Sequence, residues 1–465
     1  MKNLMSKFSV LLLALSMVVF VGCKDDEGDD GPLLSKRKDI VAVDLAGGCL
    51  GGDITGTVNA ENFTVRITVP FGTDVKALAP ILTISEKATV NPASETPQDF
   101  TTPVTYTVTA EDGTTQEWIV IVEIAAQGTE PVLTLSEAVW SYTIAGSNLP
   151  DWFTNNGEDG IAYGNGHVYV MSNHDKIKVL DPADGAVLAD LDNSNISGGS
   201  LKLGDVETSA DGSILACNVL DFNGQGTAVF KVYKWANESA APEVYIEYEV
   251  SEAVRLGDNL SVVGDISGDA AIYTAYGRNF TAGERGSDIY RWEVKGGVLN
   301  PTPTIIKAQG FNSLTGFGSR AAATSLTADS ETVWVNGNDI DVAEIDLATG
   351  AKLQQLPNEN RDLVDFFYND FTLFQLCDKT VMAAIFPRSA NESRLLVIDV
   401  TDGLDNVTSS DVMYSADFVG SNTTANNDAS GNVAHHIVSE AKAELYIVIT
   451  NQALAKFDLT LAIQD

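Results

Sequence analysis

Side chains that build most enzyme and metal sites are scarce in this 465-residue chain. It contains 4 cysteines and 4 histidines, and it has no CxxC pair, so neither a disulfide framework nor a cysteine-rich zinc site is expected. Cys217 and Cys377 lie in apolar, strand-like segments, where a free cysteine usually behaves as a small buried hydrophobe. A GxSxG elbow, an HExxH helix, a GxxxxGKS/T loop and a complete GxGxxG fingerprint are also missing. An enzyme is therefore the second interpretation of this sequence and not the first.

Positive charge is scarce as well. The chain has 28 Lys plus Arg against 64 Asp plus Glu, which gives a formal net charge of −36. Such a surface repels nucleic acid, and it disfavours broad contact with polyanionic glycans or anionic lipid head groups. The composition therefore favours a neutral extracellular ligand, glycan or protein, and no nucleic acid.

The N-terminal residues have the order of an export signal. Lys2 and Lys7 precede an apolar run from Phe8 to Val21, and Gly22 and Cys23 follow it. The apolar run is too short for a stable transmembrane helix. With the acidic residues after Cys23, this order resembles the signal of Bacteroidota-type surface lipoproteins, although Phe20 and Val21 depart from the usual motif. The resemblance implies a signal peptide over residues 1–22, lipidation of Cys23, an acidic tether over 23–37, and anchoring in the outer membrane with exposure at the cell surface.

Residues 38–124 are expected to form a small β domain. Four β-branched segments alternate apolar with polar residues, and Asp112-Gly113 supplies a hairpin turn between the last two. The segments are residues 65–71, 79–85, 104–113 and 117–124. The pattern resembles the N-terminal immunoglobulin-like modules of these lipoproteins, which implies a β-sandwich that acts as a spacer.

After a linker predicted over residues 125–136, repeated strand–turn–strand segments predict a β-propeller over 137–465. One repeat resembles the surface-layer or quinoprotein-like propeller repeat, through Tyr169, Val170, Asn173, Val179, Asp181 and Gly185. Five internal repeats, together with a closing blade shared by the two ends of the domain, predict six blades. Seven remain open, because residues 296–320 and 409–432 could contain further strands.

Ligands of propellers usually bind where loops run from an outer strand to the next inner strand. The first such loop combines aromatic and polar residues suited to stacking and hydrogen-bonding a sugar. The candidate ligand-binding residues are Trp152, Phe153, Asn155, Asn156, Asp159, Arg320 and Arg361. The alternative is structural: Trp152 fills the channel, and the two arginines pair with loop carboxylates.

The catalytic alternative is a carbohydrate hydrolase or lyase. It would use Asp159 and Asp365 as acid and base, or a site centred on His435. His435 and His436 are adjacent on a strand, so at most one is expected to point into a common pocket. No cofactor or metal is predicted, although the oxygen-rich segments 190–195 and 336–341 leave calcium open beside the simpler interpretation as turns. A third interpretation is a purely structural or adhesion component.

Overall fold

The computed structural model describes residues 34–45, 54–69, 73–125, 131–153, 157–312, 314, 316–357, 370–389, 392–419 and 430–463. The predicted signal peptide and Cys23 lie outside these ranges. The described chain is built from β-strands and short 3₁₀ turns, which confirms the predicted all-β class. Within it, no helix has the length and apolar character needed to cross a membrane.

The N-terminal domain is one continuous seven-stranded sheet. Its strands are β1 (Ile40–Leu45), β2 (Ile54–Asn59), β3 (Thr64–Val69), β4 (Pro80–Ile84), β5 (Thr89–Asn91), β6 (Val104–Thr109) and β7 (Thr115–Ile124), in the order β4-β1-β2-β3-β7-β6-β5. β3 and β7 are parallel, and the sheet encloses a core around Tyr106 and Trp118. The predicted two-sheet immunoglobulin-like sandwich is not shown. Because β2 pairs with β1 at one end and with β3 at the other, the hydrogen bonds continue around the domain in a barrel-like way.

The second domain is a six-bladed propeller of four-stranded antiparallel sheets, and the number of blades agrees with the preferred prediction. Blade 1 contains β10 (Ile161–Gly164), β11 (His167–Ser172), β12 (Lys176–Leu180) and β13 (Val187–Asp190). Blade 2 contains β14 (Leu201–Thr208), β15 (Ile214–Phe222), β16 (Ala228–Trp235) and β17 (Glu243–Val250), with β18 (Val254–Leu256) beside β15. Blade 3 contains β19 (Ser261–Gly264), β20 (Ala270–Arg278), β21 (Arg285–Lys295) and β22 (Val298–Leu299), with β23 (Thr304–Lys307) beside β21.

The remaining blades follow the same plan. Blade 4 contains β24 (Ala322–Thr324), β25 (Thr332–Gly337), β26 (Ile340–Asp346) and β27 (Lys352–Gln355). Blade 5 contains β28 (Phe371–Leu376), β29 (Lys379–Ser389), β30 (Glu392–Asp399) and β31 (Val412–Tyr414), with β32 (Phe418–Val419) beside β30. Blade 6 contains β33 (Gly431–Ser439), β34 (Lys442–Ile449) and β35 (Ala453–Ile463). The segments that could have formed a seventh blade contain the outer strands of blades 3 and 5.

The two ends of the domain close the ring in blade 6. β8 (Pro131–Leu135) and β9 (Trp140–Thr143) both pair with β35, which joins the first and last strands of the propeller as predicted. β8 lies inside the range predicted to be linker. It forms a strand because Leu133 and Leu135 pack against the core between blades 5 and 6.

Each of the six interfaces between neighbouring blades contains a cluster of buried side chains. Cys217 is fully buried between blades 2 and 3, as expected for a structural cysteine. Cys377 differs from that expectation. It lies in the turn after β28 with a φ of 62°, is partly exposed, and donates to the Glu440 carbonyl at 3.1 Å.

Candidate functional site

A cavity of about 750 Å³ occupies one end of the propeller channel. It lies at the face where the six inner strands end, and all six contribute to its wall: β10, β14, β19, β24, β28 and β33. Each inner strand has only one hydrogen-bonded neighbour, so its other edge faces the channel with unpaired backbone groups. The volume falls within the range of small-molecule sites, roughly 300–1,000 Å³.

The opposite end of the channel is filled by polar side chains, one from each inner strand or from the few residues before it. They are Asp159, Asp205, Asp258, Arg320, Asp370 and Asn432, from blades 1, 2, 3, 4, 5 and 6 respectively. Arg320 donates to Asp159 at 2.7 Å, and both side chains are largely buried. Because blades 1 and 4 face each other across a ring of six, this ion pair spans the channel and closes it.

The closing ion pair belongs to a larger network. Arg255 binds Asp258 through two hydrogen bonds of 2.6 and 2.7 Å, and it binds Asp221 at 2.9 Å. Burial raises the pKa of Asp258, but the charges of Arg255 and Arg320 outweigh it and hold that pKa below its usual value. Asp159 and Arg320, both predicted to bind ligand, are therefore brought together as structural partners at the closed end of the channel.

Three carboxyl groups have no paired cation among the described residues: Asp205 and Asp370 at this end of the channel, and Glu207 nearer the cavity. Asp205 accepts hydrogen bonds from the Leu260 amide at 2.8 Å and the Asn432 side chain at 3.0 Å, and Asp370 accepts from the Val433 amide at 3.2 Å. Glu207 lies two residues further along β14 and borders the cavity.

Burial is the main reason why the pKa values of these three carboxyl groups are raised. It raises the pKa of Asp370 to about 7. Burial, and then the charge of Asp370, raise the pKa of Glu207 well above its usual value. The pKa of Asp205 is raised by burial and by the charges of Glu207 and Asp370. The inner end of the open cavity is thus formed by carboxyl groups that bind protons more tightly than solvent-exposed carboxyl groups do.

His435 and His436 face opposite sides of β33, as expected for adjacent residues on a strand. The His435 ring stacks on Phe374 at 4.6 Å and lies 2.6 Å from the Thr372 hydroxyl, whereas His436 stacks on Tyr163 at 4.1 Å. Both residues nevertheless border the cavity, because the edge of β33 faces the channel axis. Burial, and to a lesser degree the charge of His436, lower the pKa of His435 to about 4.

The aromatic residues predicted in the first loop lie elsewhere. Phe153 is buried between blades 6 and 1, and Trp152 packs against the same cluster with its ring 5.6 Å from that of Phe153. Neither borders the cavity. The other predicted residues, Asn155, Asn156, Arg361 and Asp365, lie outside the described residues, so the roles assigned to them stay predictions.

The segments considered for calcium form turns where they are described. The Asp192 side chain accepts a hydrogen bond from the Ser194 amide at 2.7 Å, which forms an Asx-turn. In the described part of the chain, no group of three or more His, Cys, Asp or Glu side chains is arranged to hold a metal ion.

Apart from His435, which the catalytic alternative named, the sequence interpretation missed the residues that line the cavity because it searched the loops of the other face. A signal was present in Asp205 and Glu207, two acids at alternate positions of an otherwise strand-like segment. Their spacing places both on one side of β14, where a buried charge requires an explanation.

Fold and cavity together define a six-bladed propeller with a channel that is closed at one end and open at the other. Residues 49–122 match the family model described as "SGBP, N-terminal", a domain of Bacteroidota surface glycan-binding proteins, and residues 184–352 match a domain of unknown function, DUF8500. No curated protein sequence matches the chain.

Among solved structures, a DUF4623 family protein from Bacteroides eggerthii is similar at 15% identity, with a TM-score of 0.53, over 92% of this chain and 100% of its own. At that identity the likeness shows the fold alone. The WD40 propeller domain of Doa1 matches at 10% identity over 89% of this chain and 96% of its own, with a TM-score of 0.39.

Proposed function

We propose that this protein is a cell-surface glycan-binding lipoprotein whose propeller cavity holds the glycan. The match of residues 49–122 to the N-terminal domain of surface glycan-binding proteins supports this role most directly. In this proposal Cys23 carries the lipid anchor in the outer membrane, and the N-terminal β domain is a spacer that holds the propeller away from the membrane.

The wall of the cavity has the chemistry that a sugar requires. Hydroxyl groups border it, and the unpaired strand edges add backbone donors and acceptors that match the hydroxyls of a sugar. The hydroxyl side chains are Thr208, Ser209, Ser261, Thr324, Ser325 and Thr372. Tyr163 and His436 add a partly exposed pair of stacked rings, against which the apolar face of a sugar can pack.

Blocking the cavity with a bulky side chain tests this function. Ala210 is exposed at the rim, so Ala210→Trp should fill the mouth without disturbing the core. Ala183 is also exposed but lies in the turn after β12, outside the cavity lining, and Ala183→Trp is the matched control. We expect calorimetry with neutral oligosaccharides to detect binding to the wild type and to Ala183→Trp, and none to Ala210→Trp. Equal binding by both variants would place the glycan elsewhere, and no binding by the wild type would contradict the proposal.

One observation favours a second candidate, a carbohydrate hydrolase or lyase. Glu207 borders an open cavity next to Asp370, whose pKa of about 7 suits a group that donates a proton at neutral pH. Asp159 does not suit the role of acid or base that the sequence assigned to it, because it is buried in its ion pair with Arg320; Asp365 lies outside the described residues. Release of reducing sugar from an oligosaccharide by the wild type, and its loss in Glu207→Gln, would establish the enzyme.

A further inference from the structure

Among the described residues, the cavity is lined by acidic side chains and by no lysine or arginine. The acids of the lining are Glu207 and Asp211. Asp205 and Asp370 add two further carboxyl groups behind Glu207. In the part of the channel that the structure describes, a ligand at the inner end of the cavity therefore meets carboxyl groups and no lysine or arginine.

Two cations on the third strands of their blades, β35 and β21, are already paired. Lys456 binds Glu444 at 2.6 Å, and Arg291 binds Glu293 at 2.6 Å. Arg320 is engaged with Asp159 at the closed end of the channel.

The two histidines of the wall do not supply positive charge either. The pKa of His435 is about 4, and burial also lowers the pKa of His436. Near neutral pH both rings are therefore uncharged, and none of the described residues that line the cavity supplies a positive charge beside Glu207, whose raised pKa favours the protonated carboxyl group before a ligand binds. An anionic ligand would raise the electrostatic energy of this site, whereas an ammonium group would supply the missing charge.

We propose that the cavity selects its glycan by charge, excluding acidic sugars and preferring a sugar with an unacylated amino group, with Glu207 as the counter-ion. This inference rests on the proposed glycan-binding function of the same cavity. The positive charge of the ammonium group favours the ionised form of Glu207, to which it donates charge-assisted hydrogen bonds, while neutral hydroxyls contact the side chains and strand edges of the wall. A neutral sugar uses only the second set of contacts, and a uronic acid adds a repulsion.

Matched trisaccharides separate charge from shape. Calorimetry at neutral pH would compare glucosamine trimer with its N-acetylated form, with cellotriose and with trigalacturonate. We expect the glucosamine trimer to bind the wild type about tenfold more tightly than the neutral trimers, since charge-assisted hydrogen bonds add roughly 1.5–3 kcal/mol in protein sites. Trigalacturonate should not bind measurably.

The variant Glu207→Gln tests the counter-ion. It keeps the size of the side chain but cannot ionise, so the tenfold preference for the glucosamine trimer over the neutral trimers should disappear. Glu207→Asp, which keeps the charge, should retain a preference, and unchanged urea midpoints would show that both variants are folded. Equal wild-type affinity for all trimers, or a preference that survives in Glu207→Gln, would overturn the charge selection and leave the glycan site standing. If no trimer binds and Ala210→Trp behaves as the wild type, the proposed function fails, and the charge selection fails with it.

Discussion

Two buried groups of the channel wall should make the stability of this protein depend on pH in opposite directions. Asp370 has a pKa of about 7 in the folded chain against an ordinary value of 3.8, so its folded form binds a proton more tightly than the unfolded form. Its contribution to stability is complete below about pH 4 and is lost as the pH rises through 7. The difference of about 3 between the two pKa values corresponds to about 4 kcal/mol in the free energy of unfolding.

His435 acts in the opposite sense. Its pKa is about 4 in the folded chain against an ordinary value of 6.5, so folding favours the neutral ring. Its contribution is complete above about pH 6.5 and is lost as the pH falls through 4, with a magnitude of about 3 kcal/mol. Between these limits the two contributions change with pH in opposite directions, so a profile of the wild type alone does not separate them.

Single substitutions separate the two contributions. Asp370→Asn keeps an oxygen for the Val433 amide, and His435→Asn keeps a polar atom near Thr372. The free energy of unfolding would be measured in urea from about pH 4 to about pH 7.5 for each variant and for the wild type. As the pH rises from about 4 to about 7.5, the free energy of unfolding of Asp370→Asn should increase by about 4 kcal/mol more than that of the wild type. Over the same range, the free energy of unfolding of His435→Asn should increase by about 3 kcal/mol less than that of the wild type.

The exposed variant Asp329→Asn is the control, since it lies in the turn after β24 away from the channel wall. Its profile should run parallel to that of the wild type. Parallel profiles for Asp370→Asn as well would refute the argument that burial raises the pKa of that carboxyl group.

Three further predictions concern the architecture. Arg320→Met leaves the Asp159 carboxylate buried without its partner and should cost about 3–5 kcal/mol in urea unfolding, whereas the double variant with Asp159→Asn should recover much of that loss. Gly257→Ala should lower the free energy of unfolding by more than about 2 kcal/mol, because φ is 86° and a Cβ would lie 2.1 Å from a backbone oxygen. The control is Gly283→Ala, which should cost about 1 kcal/mol, because φ is 72° there but the space around the Cβ is open. A chain that begins at residue 137 lacks β8 and should melt more than about 5 °C below one that begins at residue 126; equal Tm values would show that β8 adds nothing to closure.

The blades could be predicted from the sequence because their signals are local. Val179, Asp181 and Gly185 lie within seven residues, and they encode a strand and the turn that follows it. The closing strand β9 was also predictable, since a propeller with an incomplete last blade requires an outer strand from the other end of the domain. β8 was missed because its five residues begin with Pro131 directly after a Gly-containing segment typical of a linker, and only the packing of its leucines identifies it.

The site was harder to predict because it depends on contacts between distant residues. Asp159 and Arg320 are 161 positions apart, and only a ring of six blades places them opposite each other. With five or seven blades no inner strand has a diametrically opposite partner, so the number of blades had to be known before the pair could be recognised. The cavity residues Glu207 and His435 are likewise joined only by the channel.

The ion pair of Asp159 and Arg320 also determines how a ligand can reach the cavity. Two arginines, Arg255 and Arg320, are engaged with three aspartates at the closed end, and no cation of the described residues pairs with the carboxyl groups nearer the cavity. The same contacts therefore close the channel and set the charge of its open end. Because the channel does not continue through the propeller, a polysaccharide cannot thread it and must present a chain end, or a short exposed segment, at the open face. Shorter oligosaccharides should then retain the affinity of long ones once the cavity is filled, which distinguishes this site from a surface groove that gains affinity with every added sugar.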